Sequence, residues 1–351
     1  MRGNGITYDT GFINPAGVST REPFDPVAVR REMRVIRDDL RCDAVRVTGG
    51  EPDRLEIAAS RAADAGLEVW FSPFTCDLTA DALLGLLADC AERAERLRRG
   101  GAEVVFLTGS ELSVFTVGFL PGDSLAERLA LLSDPVRLRE ELPALPDRVN
   151  EFLGRAVTVV RERFGGRVSY ASLPFEGVDW TPFDIVSTDG GYRASEFADR
   201  FRDGVRALVA QGKPVAITEF GCTTHRGASD KGGRGEMIVE WGDDGRPVGL
   251  TGDHPRDEDE QATHLCELLD VFNAEGVDTA FVNTFARYDL PHRGSSRDDL
   301  DRASYGVVKV LEDGRGTAYP DLPWEPKAAF GALADYYRRG GGAGSGPAAS
   351  G

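Results

Sequence analysis

At 351 residues the chain is long enough for one large domain or two ordinary ones, with a core that needs no disulfide or metal staple. Its 58 acidic against 41 basic residues give a net charge of −17, which argues against nucleic acid or an anionic membrane as a partner. The five cysteines (Cys42, Cys76, Cys90, Cys222, Cys266) are odd in number and lack any CxxC spacing, so they read as reduced thiols rather than as a disulfide framework or a zinc site. The amino terminus, MRGNGITYDT, has no apolar signal core, and no run is long enough to span a bilayer. A cytoplasmic location is therefore expected.

In chain order, residues 5–8 form a first short strand, with Asp9 and Thr10 at its end and a loop rich in glycine and proline beyond. Apolar residues at helical spacing (Val27, Val29, Met33, Ile36, Leu40) predict a helix over 24–41. The second strand is 43–48, DAVRVT, in which Arg46 interrupts an apolar run. A buried arginine needs an anion, supplied either by a structural salt bridge with a neighbouring helix or by an acid that an inward guanidinium holds ionised. A helix over 55–65, a third strand over 67–72 and a helix over 80–99 follow.

The fourth strand, 104–109 (VVFLTG), ends in Ser110 and Glu111. Residues 112–135, with Phe115 and Phe119, read as a long loop that shapes a cleft. A helix over 149–164 leads to a fifth strand, 168–171, followed by Pro174, Phe175, Glu176, Asp179 and Trp180. The sixth strand, 183–187, ends in Thr188, Asp189, Gly190, Gly191 and Tyr192, and a helix over 197–211 succeeds it.

The seventh strand lies in KPVAITEFGC, 213–222: a buried run stops on Glu219, and Gly221 lets the backbone turn away. Taken alone, Glu219 is as readily the first solvated residue after a strand. The loop 222–260 carries a hairpin pattern, MIVEW…GRPVGL, about a GDDG turn. Its GGRG run at 232–235 does not join a strand to a helix as a phosphate cradle does, and reads as a mobile lid. A helix over 260–274 leads to the eighth strand, 278–284, with Asn283 and Phe285 near its end. The closing helix is 326–338, and the glycine-, serine- and alanine-rich residues 339–351 read as a disordered tail.

Eight strands alternating with helical patterns, with no second core, predict a single (β/α)8 TIM barrel over 1–338 with extended loops after strands 4, 7 and 8. All strand carboxyl ends of such a barrel open on one mouth, so Glu111 and Glu219, about a hundred residues apart, can meet there. Paired carboxylates are what glycosidic cleavage requires: one protonates the leaving oxygen while the other attacks the anomeric carbon or activates water. Retaining chemistry sets the pair about 5–5.5 Å apart, and that separation is expected here. Tyr192, Asn283, Asp189 and Trp180 fall at strand ends, either to bind sugar or to pack within loops. His225, His254, His264 and His292 show no paired-ligand spacing, and the DEDE at 257–260 lacks the alternation of a calcium loop. No metal and no cofactor is expected.

Glutamates ending strands four and seven, Arg46 within Val45–Arg46–Val47, and the string Thr218, Glu219, Phe220, Gly221 resemble the retaining (β/α)8 glycoside hydrolases of clan A, the 4/7 superfamily. The closing segment Trp324, Glu325, Pro326, Lys327, followed by an aromatic-rich helix, is similar to the ends of such chains. The whole chain also resembles a group of bacterial proteins labelled abortive infection protein. The clan resemblance implies Glu111 as general acid/base, Glu219 as nucleophile and Arg46 as the arginine bonded to it. Two positions depart from the clan pattern: Ser110 stands where an asparagine binds the sugar 2-hydroxyl, and Phe285 stands near the usual tryptophan platform. The implied activity is double-displacement hydrolysis of a small glycoside or oligosaccharide. Two alternatives accompany it, namely a barrel repurposed for a non-hydrolytic reaction in secondary metabolism and a catalytically silent barrel with a binding or phage-defence role. Sugar identity, endo or exo action and oligomeric state are not legible.

Overall fold

The structure, a computed structural model, describes residues 1–295 and 297–340. Eight parallel strands form one sheet: β1 (Gly3–Asp9), β2 (Ala44–Gly49), β3 (Glu68–Pro73), β4 (Val104–Ser110), β5 (Arg167–Ala171), β6 (Val186–Thr188), β7 (Val215–Phe220) and β8 (Thr279–Val282). The order across the sheet is β5-β4-β3-β2-β1-β8-β7-β6. The two ends are joined by a parallel bridge between Ser172 and Thr188 and by the Asp189 N–H, which donates to the Ser172 carbonyl at 2.9 Å. The sheet is thereby closed into the expected barrel, and every strand's carboxyl end faces one mouth.

Helices α1 (Pro26–Arg34), α2 (Pro52–Asp64), α3 (Ala80–Arg99), α4 (Leu145–Arg161), α5 (Ala198–Val209), α6 (Glu258–Glu275) and α7 (Ala328–Gly340) surround the barrel. Five of the seven begin where their caps and prolines dictate, α6 through Asp257, which accepts from the Glu260 N–H. Asp25 accepts from the Val27 N–H, and Thr79 from the Ala82 N–H, while α1, α2 and α4 each carry proline in the first turn. The first of these is shorter than the predicted 24–41, because residues Val35–Asp39 continue as a π-helical turn. Between β5 and β6 the described chain has no helix, so that flank of the barrel is covered only by the connection itself.

Alternation along each strand sorts the side chains. Val45, Val47, Val69, Phe71 and Phe106 point outward onto the helices, in the large core layer between sheet and helix ring. Ala44, Trp70, Val105, Leu107, Ala216 and Phe281 point inward and fill the lower part of the barrel. Arg46 and Ser72, two residues beyond Ala44 and Trp70, therefore occupy the next inward layer, toward the mouth.

Three segments differ from expectation. Residues 112–135 are largely helical: a turn at Leu112–Phe115, a helix at Leu125–Leu132 capped by Ser124, and a second at Pro135–Glu141 capped by Asp134. Buried Arg128 fastens the first of these helices to Asp77 and to the Val114 and Gly122 carbonyls, a long-range anchor that no local pattern announces. The GGRG run is not a free lid: it starts a 3₁₀ segment, Gly232–Ile238, that Tyr305 holds by accepting from the Gly235 N–H and donating to the Gly232 carbonyl. Pro326, expected to open the closing helix, instead ends a short strand, Trp324–Pro326, that pairs antiparallel with Val308–Val310. The hairpin in the β7 loop is present as predicted, Val239–Trp241 against Pro247–Leu250. Most of the expected tail, residues 341–351, lies outside the described residues. All five cysteines are free thiols, and among the described residues no helix is long and apolar enough to cross a membrane.

Candidate active site

Arg46 is the centre from which the mouth is built. It is 0% exposed, and each guanidinium nitrogen has a partner. Nε donates to Ser72 Oγ at 3.1 Å, and Nη2 to Ser110 Oγ at 3.0 Å. Nη1 is shared among Asp189 Oδ1 at 2.8 Å, Glu219 Oε1 at 3.0 Å and the Thr218 carbonyl at 3.1 Å. Burial works against its charge, but the charges of Asp189, Glu219 and Glu111 outweigh that penalty and hold the group protonated. A buried guanidinium tolerates this position because each face meets an anion or a hydroxyl.

Glu219 sits one residue before the end of β7, its side chain 16% exposed. Beyond it Gly221, at φ +145°, lets the chain leave the barrel closely against the Asn283 carbonyl, where a Cβ would stand 3.1 Å from that oxygen. Oε1 accepts from Arg46, while Oε2 accepts from Tyr192 Oη at 3.0 Å and Asn283 Nδ2 at 3.3 Å. Asn283 Nδ2 also donates to Tyr192 Oη at 2.6 Å, which turns the phenol proton toward the carboxylate. Burial and the Glu219 charge push the Tyr192 hydroxyl well above its usual range, so it stays a donor. Burial and the charge of Asp189 raise Glu219 to about 7, against the three donors that favour its ionised form.

Glu111 follows β4 and occupies a left-handed backbone conformation, φ 47°, ψ 45°. Its carboxyl receives no hydrogen bond from any described residue. Burial, together with the charges of Asp189, Glu219 and Glu176, pushes it well above the carboxylate range. One carboxylate oxygen each from Glu111, Asp189 and Glu219 lie within 4.8 Å of one another. At such separations Glu111 and Glu219 titrate as a coupled pair, and the proton held longest belongs to Glu111, which has no donor.

The three acids form a donor set that a cation could approach. Both oxygens of Asp189 are already engaged, Oδ1 by Arg46 and Oδ2 by Ser110 Oγ at 2.7 Å, and both oxygens of Glu219 are held as described. The guanidinium thus stands where a bound cation would be needed, and only Glu111 is open.

Among the expected site residues, Glu111, Glu219, Arg46, Tyr192 and Asn283 converge on the mouth. Four of the expected substrate-binding residues do not offer themselves to a ligand. Asp189, 1% exposed, and Ser110, 3% exposed, face inward and hold each other and Arg46. Phe285 is 0% exposed and packed between Tyr8 and Trp324, with ring centroids at 6.1 and 5.4 Å. Trp180 lies toward the opposite end of the barrel: its carbonyl accepts from Lys213 Nζ at 2.6 Å, and Lys213 precedes the start of β7.

Neither Ser72, whose small polar side chain in a buried strand was the available signal, nor, apart from Phe115, the aromatic rim is named from the sequence. Phe12, Phe74 and Phe115, from the loops after β1, β3 and β4, form a cluster with centroids 4.7 to 5.6 Å apart. A cavity of about 500 Å3 lies beside Phe12, bounded by the Leu125–Leu132 helix, Arg287 and the hairpin residue Trp241, which is 48% exposed; neither glutamate lines it. A larger cavity, about 780 Å3, opens on the flank where the β5–β6 helix is missing. Its lining is mainly apolar and lacks the two glutamates, so size alone does not locate the chemistry.

No family model matches the chain, and no curated protein matches it. Solved structures do. A GH113 β-1,4-mannanase superposes with a TM-score of 0.59 at 16% identity, covering 96% of this chain and 99% of that one. The GH113 β-mannanase AaManA from Alicyclobacillus acidocaldarius, in complex with ManMIm, gives 0.56 at 16% identity, with 95% and 96% covered. A Parabacteroides merdae β-glucuronidase gives 0.56 at 14% identity, covering 95% of this chain and 36% of that one. The chain thus has the (β/α)8 fold seen in clan A glycoside hydrolases.

Proposed function

We propose that the protein is a retaining glycoside hydrolase acting by double displacement on a small glycoside or oligosaccharide. The observation that carries this reading is the asymmetry of two close acids. Glu219 is gripped by Arg46, Tyr192 and Asn283, whereas Glu111, with an oxygen within 4.8 Å of it, has no donor and keeps its proton. Inverting enzymes separate their carboxyl groups by about 6.5–9.5 Å to admit a water, and the approach of one oxygen of each acid to within 4.8 Å supports the retaining reading.

In the first step Glu219 attacks the anomeric carbon while Glu111 gives its proton to the departing oxygen. The Arg46, Tyr192 and Asn283 donors fix the attacking carboxylate in one orientation. In the second step Glu111, now a carboxylate, takes a proton from water as that water attacks the same carbon and releases Glu219. The fall of charge on Glu219 in the covalent intermediate lowers the pull on the Glu111 proton, which suits its change from acid to base. Trp241 and the cavity beside it offer an apolar face for a ring, in place of the buried Phe285.

A non-hydrolytic reaction using the same acids is the second reading, favoured by one observation. Ser110, at the position where the clan binds a 2-hydroxyl, spends its hydroxyl on Asp189 and Arg46. An aryl-glycoside panel distinguishes the two. Hydrolysis that is abolished in Glu219→Ala, and spared only for activated leaving groups in Glu111→Gln, supports the first reading. Turnover of no glycoside by a correctly folded protein shifts the assignment to the second.

A further inference from the structure

One buried acid takes no part in the steps above. Glu176, in the connection after β5, is 0% exposed, and all its partners are donors. Oε1 accepts from the Ser113 N–H at 3.0 Å and the Ser113 hydroxyl at 2.7 Å. Oε2 accepts from Tyr170 Oη at 2.8 Å and the Leu173 N–H at 2.9 Å. Burial raises its pKa, with the Ser113, Tyr170 and Leu173 bonds opposing. A proton on either oxygen would confront a donor, so the surroundings suit the carboxylate form.

The same network reaches back to Glu111. The Glu111 N–H donates to the Ala171 carbonyl at 2.9 Å, and the Leu112 N–H to Tyr170 Oη at 2.8 Å. With the Ser113 N–H on Glu176, three consecutive backbone donors end on residues at or just after the end of β5. The first N–H groups of a helical turn have no partner within it, and a carboxylate is favoured there. Glu111 itself is held left-handed, a conformation that is unfavourable for a non-glycine residue and persists only where neighbours over-determine it.

We propose that Glu176 is a positioning residue for Glu111. With Tyr170 it clamps the turn that starts at Glu111, so that the Glu111 carboxyl stands free in the mouth, and it does so without touching substrate. This rests on the reading of Glu111 as the acid/base. The charge of Glu176 acts in the same direction by adding to the burial and the Asp189 and Glu219 charges that keep Glu111 protonated.

The test is Glu176→Gln, in which the amide nitrogen must face donors in either orientation. Protonation of the leaving group matters most when that group is poor, so kcat/KM on alkyl glycosides should fall about 10- to 100-fold while kcat/KM on dinitrophenyl glycosides, which reports the first step alone, stays within about threefold. The alkaline limb of kcat/KM should move to lower pH. Ser113→Ala keeps the carboxylate and removes one donor; it should lower kcat/KM on alkyl glycosides in the same sense by less while the alkaline limb stays in place, and it carries the test if Glu176→Gln does not fold. An equal loss for both leaving-group classes, or no loss for either, overturns the proposal. Should the wild-type protein hydrolyse no glycoside, the 13C NMR titration of Glu111 still decides. A lower Glu111 titration point in Glu176→Gln, with shifted Leu112 and Ser113 amide signals, supports the clamp. An unchanged titration and unchanged amides overturn it, whatever reaction the barrel performs.

Discussion

The β7 and β4 arms carry the same side chain into the mouth under opposite constraints. Glu219 stands in regular strand geometry and is fixed through its carboxylate, by Arg46, Tyr192 and Asn283. Glu111 is fixed through its backbone, by three N–H bonds to the end of β5, and its carboxyl is left without a donor. Donors aimed at a carboxylate stabilise its charge, whereas burial and neighbouring acids without donors stabilise its neutral form. One mouth therefore holds two glutamates of similar exposure in different states, one fitted to the nucleophile's part in the proposed mechanism and the other to that of proton carrier.

Breaking the β7 arm should have the larger effect. Arg46→Met removes the only cation among the described residues that touches Asp189 and Glu219 and leaves both acids buried, so stability at pH 7 should drop by about 3–5 kcal/mol. Urea denaturation measures this, and the loss should be largest in alkali and shrink as the pH falls toward about 7, because Glu219 takes up a proton at higher pH once Arg46 is gone. A loss that is small and independent of pH would mean that the guanidinium is not what allows the acids to share the site.

Altering the β4 arm should act more weakly and with the opposite sign. Glu111 has a folded pKa far above its unfolded value, so its contribution to stability is greatest in acid and is lost as pH rises. Glu111→Gln removes that dependence. The variant should be more stable than the wild type by about 1–2 kcal/mol at pH 8, with the gain shrinking toward pH 5, as read by denaturation at the two pH values. A gain that grows toward acid would contradict the protonated assignment.

Much of this site was legible because it depends on strand ends. Arg46 within an apolar strand and the two glutamates closing β4 and β7 are local signals, and the barrel supplies the convergence. What was not legible depends on direction and long-range partners. Asp189 and Phe285 were placed at the correct rim, but their side chains turn inward, to Arg46 and to Trp324, and no spacing encodes that turn. Trp180 was set at the mouth because it follows β5 in sequence; the short connection carries it to the far end before β6 begins. Residues 112–135 looked like a loop because their helices are short and owe their anchorage to Arg128 and Asp77, far apart in the chain. Glu176 gave no sign of its role, since its partners come from two different strand ends.

The most direct test of the central claim is to incubate the protein with a panel of dinitrophenyl 2-deoxy-2-fluoroglycosides and map any covalent adduct by mass spectrometry. The fluorine slows both steps, and the activated leaving group spares the first, so the glycosyl-enzyme accumulates. The account predicts one adduct per chain, on Glu219, and none in Glu219→Ala. An adduct on Glu111 or another residue, or the absence of an adduct with any sugar, would contradict it.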